Sequence, residues 1–516
     1  MQRSILNAAI CLLALTAHTE AVTSAQAATQ PKVFTAAYEL SFPDLDPSTA
    51  ATIEQAVLAN VYEPLTWFEP GKGVKPGLAE RWEASSDGKQ WTFYLRHNVK
   101  FHDGAPFTAE AVKFSIERTQ KLNGALSYIW KAVKQIEAKD PYTVTIHLDY
   151  PQPLDLIASS TFAAWMISPS AADKDGTWFN AGHDAGTGPY RIESHQPNER
   201  TVLTRFDDYW GGWKDGQFGK AVLEIVEDPA LRQQKIESGD TDFVSDLPLD
   251  NLATLDARPD VKVVVNPAFQ NWFIQFNVRK KPFDNLKVRQ ALSYSFPYQL
   301  ANEMIMGGAA RQSFGIIPQG IPAYDPQAKQ YTYDLDKAKA LLAEAGYPNG
   351  GFEPMMTFPT GYMVPQPIAE LWQASLAKLG IKAILKPLSL DPILALARSD
   401  PDKAQDLIVT TWVPTFATPY DYLYGVFHTE QKPDWNFSYY SNPAFDQLIE
   451  EAYAKSGVDW PNAEKMFQEA NRMLIDDAPA IFIFDQPNRH VIRENLKGYV
   501  DNPAYAWVVF VYPLTR

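Results

Sequence analysis

Helix-type segments in this chain lead directly into strand-type segments, and that order determines the expected fold class. Apolar residues recur at helical spacing over about residues 366–379, and Gly380 supplies a left-handed stop. The run Ile381–Lys386 follows at once as a strand. Because helices that alternate with strands pack as layers on a sheet, the sequence predicts a mixed α/β fold.

Capping and turn residues mark further elements of both kinds. Trp91–Leu95 alternates large apolar side chains with Thr92 and Tyr94, which is typical of a half-buried strand. Ala480–Phe484 is a short, fully apolar run that also predicts a strand. Four more helices are predicted to begin at Thr108, Asp334, Asn442 and Pro461.

The chain length implies more than one domain. It has 516 residues, and a single hydrophobic core rarely serves more than about 250–300 residues. No internal repeat and no low-complexity linker divides the sequence. We therefore expect two lobes or more, with boundaries that composition alone does not reveal.

The first thirty residues have the layout of a secretory signal. Arg3 gives a positive start, Ala8–Ala17 is an apolar run, and Ala25-Gln26-Ala27 is a cleavage motif. These features predict a signal peptide over residues 1–27 and a mature protein in the periplasm. A lipoprotein anchored through Cys11 is the disfavoured alternative, because this cysteine comes too early in the apolar run.

Charge and cysteine content exclude several classes of partner and site. The formal charge is -15, from 46 Lys+Arg and 61 Asp+Glu. Nucleic-acid binding needs clustered basic residues, so no nucleic-acid partner is expected. The single cysteine excludes a disulfide framework and a multi-cysteine metal site. No metal and no other cofactor is predicted.

Local signatures of catalysis are missing from the sequence. It contains no G-x-S-x-G elbow, no G-x-x-x-x-G-K-[ST] phosphate loop and no H-E-x-x-H motif. Gly186-Thr187-Gly188 starts like a dinucleotide fingerprint, but Arg191 stands where the third glycine belongs, which favours a simple turn. We expect a protein that is not an enzyme, while a catalytic set assembled from distant residues stays open.

Several motifs in a fixed order resemble one family. LDP at 45–47 is followed by a long match over 61–119 that includes FHDGAPFTAEAVKFSIERT. Further matches are GTGPY at 186–190, RFDDYWGG at 205–212, ESGDTD at 237–242, FNVRKKPFDNLKVRQAL at 276–292 and YDLDKAKALLAEAGYP at 333–348. Together they resemble the family 5 extracellular solute-binding proteins, which are the peptide-, nickel- and glutathione-binding components of ABC importers.

The resemblance implies a two-lobed periplasmic binding protein fold with an additional inserted domain and a ligand cleft between the lobes. By the family's arrangement, lobe I combines residues 28–55, 190–267 and 480–516. The inserted domain covers 56–189, and lobe II covers 268–479. The implied protein is a monomer that closes on its ligand by a hinge and delivers it to an inner-membrane permease.

The resemblance also indicates which residues face the cleft. Ligand clefts have apolar walls with a few polar groups, and aromatic faces stack on rings, sugars or cations. Trp412 matches the family's pocket tryptophan, and Trp130 matches a pocket tryptophan of the nickel binders. The expected ligand-binding residues are Tyr38, Glu39, Trp130, Phe162, Trp165, Trp412, Thr415, Phe416 and Asp421.

Departures from the family pattern bear on the ligand. Thr415 stands where peptide binders commonly place an aspartate for the ligand's ammonium, and residues 352–368 contain no Arg or Lys for a dipeptide's carboxylate. The chelator-binding arginine of the nickel binders aligns approximately with Phe162. Because a hydroxyl does not offset a buried charge as a carboxylate does, the sequence disfavours both ligand types. Glu39 and Asp421 remain as possible anchors for a cation.

The sequence therefore predicts the substrate-binding component of an ABC importer, with no catalytic residue. Its expected ligand is an amphipathic organic solute such as an oligopeptide, a glycoside or another conjugate. Two alternatives stay open, namely an exported hydrolase with a scattered active site and a periplasmic peptide-binding chaperone.

Overall fold

The computed structural model describes residues 31–124, 126–431 and 433–516. The predicted signal peptide, with Cys11 and the cleavage motif, lies outside these ranges. Within them, helices and strands alternate along the chain, and the predicted mixed α/β fold is confirmed. No helix in these ranges combines the length and the apolar character that a membrane crossing requires.

The strands vary from two to sixteen residues in length. They are β1 (Val33–Tyr38), β2 (Thr66–Glu69), β3 (Gly73–Pro76), β4 (Ala79–Ala84), β5 (Gln90–Leu95), β6 (Val133–Asp140), β7 (Thr143–Leu148), β8 (Tyr190–Gln196), β9 (Arg200–Arg205), β10 (Lys220–Ile225), β11 (Phe243–Ser245), β12 (Val261–Phe276), β13 (Arg311–Gln312), β14 (Met355–Pro359), β15 (Ile384–Leu388), β16 (Leu407–Trp412) and β17 (Ala480–Arg493).

The helices are concentrated in the second half of the chain. They are α1 (Gln55–Val61), α2 (Ala109–Leu122), α3 (Leu154–Ile157), α4 (Gly176–Asn180), α5 (Pro229–Ser238), α6 (Leu249–Asp256), α7 (Leu286–Tyr294), α8 (Tyr298–Met306), α9 (Leu335–Glu344), α10 (Pro365–Ala377), α11 (Leu390–Ala397), α12 (Pro419–Phe427), α13 (Pro443–Ser456) and α14 (Trp460–Asp477). Two short 3₁₀ helices cover Ser127–Trp130 and Pro169–Ala171.

Most strands join one mixed sheet of eleven strands. Its order is β15-β14-β16-β12-β17-β11-β1-β10-β9-β8, and β13 pairs with β17 beside this path. Strand β1 runs parallel to its neighbour β11. Residues that follow parallel neighbours meet at one edge of a sheet. Glu39, one residue after β1, and Asp246, the residue after β11, therefore lie at the same edge.

The long strands β12 and β17 connect the two halves of this sheet. The first part of β12 pairs with the end of β17, from Val261↔Arg493 to Asn266↔Asn488. The second part of β12 pairs with the start of β17 on one side and with β16 on the other. The register shifts between residues 266 and 270, where the pairing changes from one half to the other.

Two smaller sheets lie within residues 66–148, inside the stretch 56–189 that the resemblance assigns to the inserted domain. One is the hairpin β2-β3, and the other has the order β4-β5-β7-β6. In β5, Trp91, Phe93 and Leu95 are buried while Thr92 and Tyr94 are half-buried, so the predicted alternation is confirmed. The boundaries expected for the two lobes and the inserted domain stay a prediction.

Apolar side chains form two large clusters. One contains Phe34, Leu58 and Tyr190, and it packs β1 and β8 against α1. The other extends from Phe93 in the small sheet to Trp372 in α10. The second cluster also contains Trp272 and Trp412, so part of the core borders the aromatic residues expected at the cleft.

Two of the helices predicted from the sequence begin at the capping residues that predicted them. The Asp334 carboxylate accepts a hydrogen bond of 2.9 Å from the Lys337 amide, and α9 begins there as predicted. Asn442 caps α13 in the same way. The strand predicted from Ile381 begins only at Ile384, because the Ile381 amide donates to the Leu376 carbonyl and closes the end of α10.

The GTGPY segment brings two stretches of backbone into close contact. The Gly188 amide donates a hydrogen bond of 2.9 Å to the carbonyl oxygen of Val61, the last residue of α1. A Cβ atom on Gly186 would lie 2.0 Å from the same oxygen. Glycine is required here because no side chain fits between the two segments.

Candidate ligand-binding cleft

A cavity walled by aromatic side chains lies beside the centre of the large sheet. Its aromatic lining residues are Phe162, Trp272, Tyr362, Trp412, Trp435 and Trp507, and we name this region the aromatic compartment. They come from β12, the end of β16 and four segments outside the strands. None of the described residues that line this compartment is charged.

Trp412 is the last residue of β16, opposite Asn271 of β12. Its ring meets that of Trp435 edge to face, with the centroids 5.8 Å apart. The indole N–H of Trp435 is buried and has no hydrogen-bond partner. This pair therefore gives the cavity an apolar surface and leaves one buried indole N–H unpaired.

Asp421, in the first turn of α12, supports this wall from behind. Its Oδ2 atom accepts hydrogen bonds of 2.9 Å from the Trp412 indole and of 2.9 Å from the Thr415 amide. The Tyr128 hydroxyl donates to Oδ1 at 2.5 Å. The side chain is 0% exposed, and burial raises the pKa of Asp421 to about 6. This carboxyl group positions the wall, and it does not line the cavity.

Further hydrogen bonds fix the loop between β16 and α12. The Ser160 hydroxyl donates to the Thr415 carbonyl at 2.5 Å, and the Tyr128 hydroxyl lies 3.1 Å from that of Thr415. Thr418 caps α12 by accepting a hydrogen bond from the Asp421 amide. Thr415 and Thr418 thus both help to fix this loop.

A second cavity continues from the first and is lined by polar and charged groups. These include Glu39, Asp246, Gln270, Gln486, Arg489 and His490, and we name this region the polar compartment. Both compartments include Trp272, Tyr362 and Trp507 in their walls, so they form one cleft. Their cavity volumes are about 80 Å³ and 40 Å³. Ligand cavities commonly measure about 300–1,000 Å³, so a larger solute must part these walls.

Arg489, Asp246 and Glu39 of the polar compartment each have a partner within the protein. Arg489 on β17 binds Asp246 with an N···O distance of 2.7 Å, and the Ser245 hydroxyl donates to Glu39. Burial, and then the nearby Asp246 carboxylate, raise the pKa of Glu39. Behind them Arg232 is fully buried and donates to the Asp246 carbonyl at 2.9 Å.

Four of the nine predicted ligand-binding residues line the cleft. Phe162, Trp412 and Thr415 line the aromatic compartment, and Glu39 lines the polar compartment. The direct contact of these residues with a ligand stays a prediction.

The other five predicted residues lie behind the walls. Tyr38 donates to the Trp507 carbonyl at 3.1 Å, and Trp130 donates to the Ala163 carbonyl at 2.8 Å, next to Phe162. The remaining three are Trp165, which donates to Gln55, Phe416, which is buried in the core, and Asp421. None of these five residues lines either compartment.

The sequence reasoning missed several residues that line the cleft. They are Trp272, Tyr362, Trp435, Trp507 and Arg489. Trp272 stands in an apolar strand and has the same pattern as a core residue. The others come from segments far apart in the chain, so their meeting depends on the sheet order. The count of 14 tryptophans indicates that some of them could line a cleft, but it does not show which ones do.

The chemistry of the cleft is that of binding. Among residues 31–124, 126–431 and 433–516, no group of three or more His, Cys, Asp or Glu side chains is arranged to hold a metal ion. The cleft instead offers aromatic faces in one compartment and paired charges in the other. Such walls bury a solute and orient it through a few polar groups.

Residues 73–434 match the family described as bacterial extracellular solute-binding proteins, family 5 Middle. The chain is 33% identical over 453 residues to the probable D,D-dipeptide-binding periplasmic protein DdpA of Escherichia coli strain K12, covering 86% of this chain and 85% of that protein. It is 30% identical over 471 residues to the glutathione-binding protein GsiB of Salmonella choleraesuis strain SC-B67, covering 89% and 90% of the two chains.

A solved structure gives the same result for the fold. The binding protein MoaA of A. tumefaciens R10, in complex with mannopinic acid, has a TM-score of 0.84 and 26% identity, covering 94% of this chain and 99% of that one. The resemblance seen in the sequence is confirmed, and with it the periplasmic binding protein fold. The chain belongs to the family 5 extracellular solute-binding proteins, the solute-capturing components of ABC importers, which are binding proteins and not enzymes.

Proposed function

We propose that this protein captures an amphipathic organic solute in its cleft and delivers it to an ABC permease. The observation that supports the proposal is the continuity of the two compartments, one uncharged and aromatic and the other charged. A solute with an apolar or ring-bearing body and a polar end matches that division. Phe162, Trp412, Thr415 and Glu39 are the predicted residues that meet it.

The named ligands of the relatives agree with an organic solute but differ from one another. They are a D,D-dipeptide, glutathione and mannopinic acid. A shared fold that serves several ligands leaves specificity to the residues of each cleft. For this chain those residues are the tryptophans of the aromatic compartment and the ion pairs of the polar one.

We further propose that the protein acts in the periplasm as a monomer. The layout of residues 1–27 supports export through a cleavable signal, and the DdpA relative is named as periplasmic. Mass spectrometry of the protein purified from a periplasmic extract should give an N-terminus at Ala28. An intact Met1 in that fraction would contradict the cleavage.

The ligand is best sought in two steps. Protein purified from its native source is denatured, and the released small molecules are identified by mass spectrometry. Refolded protein, shown free of retained ligand, is then screened by thermal shift against peptides, glycosides and opine-like conjugates. At least one of these solutes should raise the melting temperature in a saturable way.

The screen also separates the proposal from its alternative. If no solute stabilises the ligand-free protein, capture of a small solute is wrong. Suppressed aggregation of an unfolded test protein, in the absence of saturable binding, would indicate the chaperone role instead.

A further inference from the structure

The walls of the polar compartment carry both acidic and basic side chains. Glu39 and Asp246 follow the parallel strands β1 and β11, while Arg489 and His490 lie on β17 beside β11. Arg489 is only 4% exposed. Charged groups held this far from water need partners, either within the protein or from a ligand.

Some polar atoms in this compartment have no partner in the protein. Arg489 uses Nη2 to bind Asp246 and Nη1 to reach the Ile305 carbonyl at 3.5 Å, but its Nε atom has no hydrogen-bond partner. The Nδ1 atom of His490 is also buried without one. A planar guanidinium with an unpaired N–H is well suited to donate a hydrogen bond to a carboxylate.

The charges of this region balance within the protein. Arg489 and the buried Arg232 supply two positive groups, and the carboxyl groups of Glu39 and Asp246 supply two acidic ones. His490 faces a carboxylate of its own, since its Nε2 atom lies 3.7 Å from Asp501. A ligand with a net charge would disturb this balance in a buried place. A ligand that carries both signs leaves it unchanged.

The aromatic compartment limits where a ligand's charges can lie. None of its described lining residues is charged, and the polar side chains among them are hydroxyl and indole groups such as Thr415 and Trp435. An ammonium or a carboxylate placed there would lose its hydration without a charged partner. Both charged groups of a zwitterionic ligand must therefore be held in the polar compartment, within a few bonds of each other.

From these contacts we infer that the polar compartment recognises an amino-acid headgroup, meaning an ammonium next to a carboxylate on one carbon. The carboxylate binds the free face of Arg489, and the ammonium binds Glu39 and Asp246. The apolar or ring-bearing body of the solute lies in the aromatic compartment. This inference rests on the proposed function, because it names the ligand class of the same cleft.

Two matched sets of probes test the headgroup by isothermal titration calorimetry on ligand-free protein. The first set is phenylalanine, phenethylamine and 3-phenylpropanoate. The second is Nε-dansyl-lysine, dansylcadaverine and 6-(dansylamino)hexanoate. In each set the second probe lacks the carboxylate and the third lacks the ammonium. In at least one set, the zwitterion should bind at least about tenfold more tightly than each of the other two probes.

Variants connect this preference to the named residues. Arg489→Gln should abolish the preference for the zwitterion over the amine that lacks a carboxylate. Since this change leaves Asp246 buried without its partner, the double variant Asp246→Asn, Arg489→Gln is the second test, and its fold is checked by circular dichroism. Arg493→Gln, on the same strand but paired with Asp260 outside the cleft, is the matched control and should keep the preference.

The results also separate this inference from the proposed function. Equal affinities within both sets, or no binding by any of the six probes, would overturn the amino-acid headgroup. The proposed function would survive either result if the broad screen found another solute that binds. It would fail only if that screen found none.

Discussion

The Trp412 indole donates a hydrogen bond of 2.9 Å to the carboxyl group of Asp421, which lies behind it and away from the cleft. An aromatic wall residue is therefore held by a buried acid that does not line the cavity. Asp421 also binds the Thr415 amide and the Tyr128 hydroxyl, so one carboxyl group orients three parts of the site.

Removal of the Trp412 ring should weaken solute binding. Trp412→Ala takes away a face of the aromatic compartment, and the loss should be at least about tenfold in Kd, or about 1.4 kcal/mol. Titration calorimetry with the identified solute measures it. Trp178→Ala, a half-buried tryptophan that does not line the cleft, is the control. If both variants bind the solute with the same affinity, Trp412 does not contribute to the binding site.

Loss of the Tyr128 hydroxyl should loosen the same wall. Tyr128→Phe keeps the ring but leaves Asp421 short of one donor, and a buried hydrogen bond to a charged group contributes about 1.5–3 kcal/mol. We expect the free energy of unfolding to fall by about that amount and solute affinity to fall as well. Tyr142→Phe, at a half-buried tyrosine that does not line the cleft and keeps its ring stacked on His97, should change neither quantity. Chemical denaturation of both variants is the measurement.

Glycine at position 186 should be indispensable. Gly186→Ala places a Cβ atom 2.0 Å from the Val61 carbonyl oxygen, and this oxygen belongs to the backbone and cannot rotate away as a flexible side chain would. A loss of about 3 kcal/mol or more in stability is expected for such overpacking. Gly176→Ala is the matched control, since its Cβ atom would meet nothing within 4 Å. Similar melting temperatures for both variants would contradict the close contact.

Glu63 should make the stability of the fold decrease as pH rises from about 4.5 to about 7. This buried carboxyl group accepts hydrogen bonds from Thr187, Tyr209 and Trp210, yet burial raises its pKa from 4.5 to about 7. The native protein thus holds the proton more tightly than the unfolded chain. The resulting stability is full below about pH 4.5 and is lost as pH rises through about 7, to a total of about 3 kcal/mol.

Urea unfolding across pH tests this dependence. The difference in unfolding free energy between wild type and Glu63→Gln should shift by about 3 kcal/mol against wild type between pH 4.5 and pH 8. The exposed Glu110→Gln should show no such shift. A constant difference for Glu63→Gln would contradict the expected titration.

Local patterns predicted the elements more reliably than they predicted the cleft. The alternation in β5 and the Asp334 cap of α9 act within one element, so the sequence contains the whole signal. Trp412 was predicted because a family motif contains it. Trp507 and Arg489 line the same cleft as Glu39 and Asp246 because β17, β11 and β1 are neighbours in the large sheet. No spacing along the chain expresses that order.

Asp421 illustrates a different difficulty. An acidic residue in an aromatic segment suggested an anchor for a cation, and its type and position were both compatible with that role. The helix cap by Thr418 and the direction of α12 place its carboxyl group toward Trp412 and Thr415 instead. Whether an acid faces a ligand or supports a wall depends on side-chain direction, which the sequence does not express.

The tryptophans of the aromatic compartment should also report ligand binding through their intrinsic fluorescence. Four of its walls are tryptophans, and the N–H of Trp435 is unpaired. Displacement of water from these rings by an arriving solute changes the polarity that the excited indoles sense. Unlabelled protein should therefore signal occupancy through the wavelength of its emission, and the rate of capture can be followed by rapid mixing without a dye.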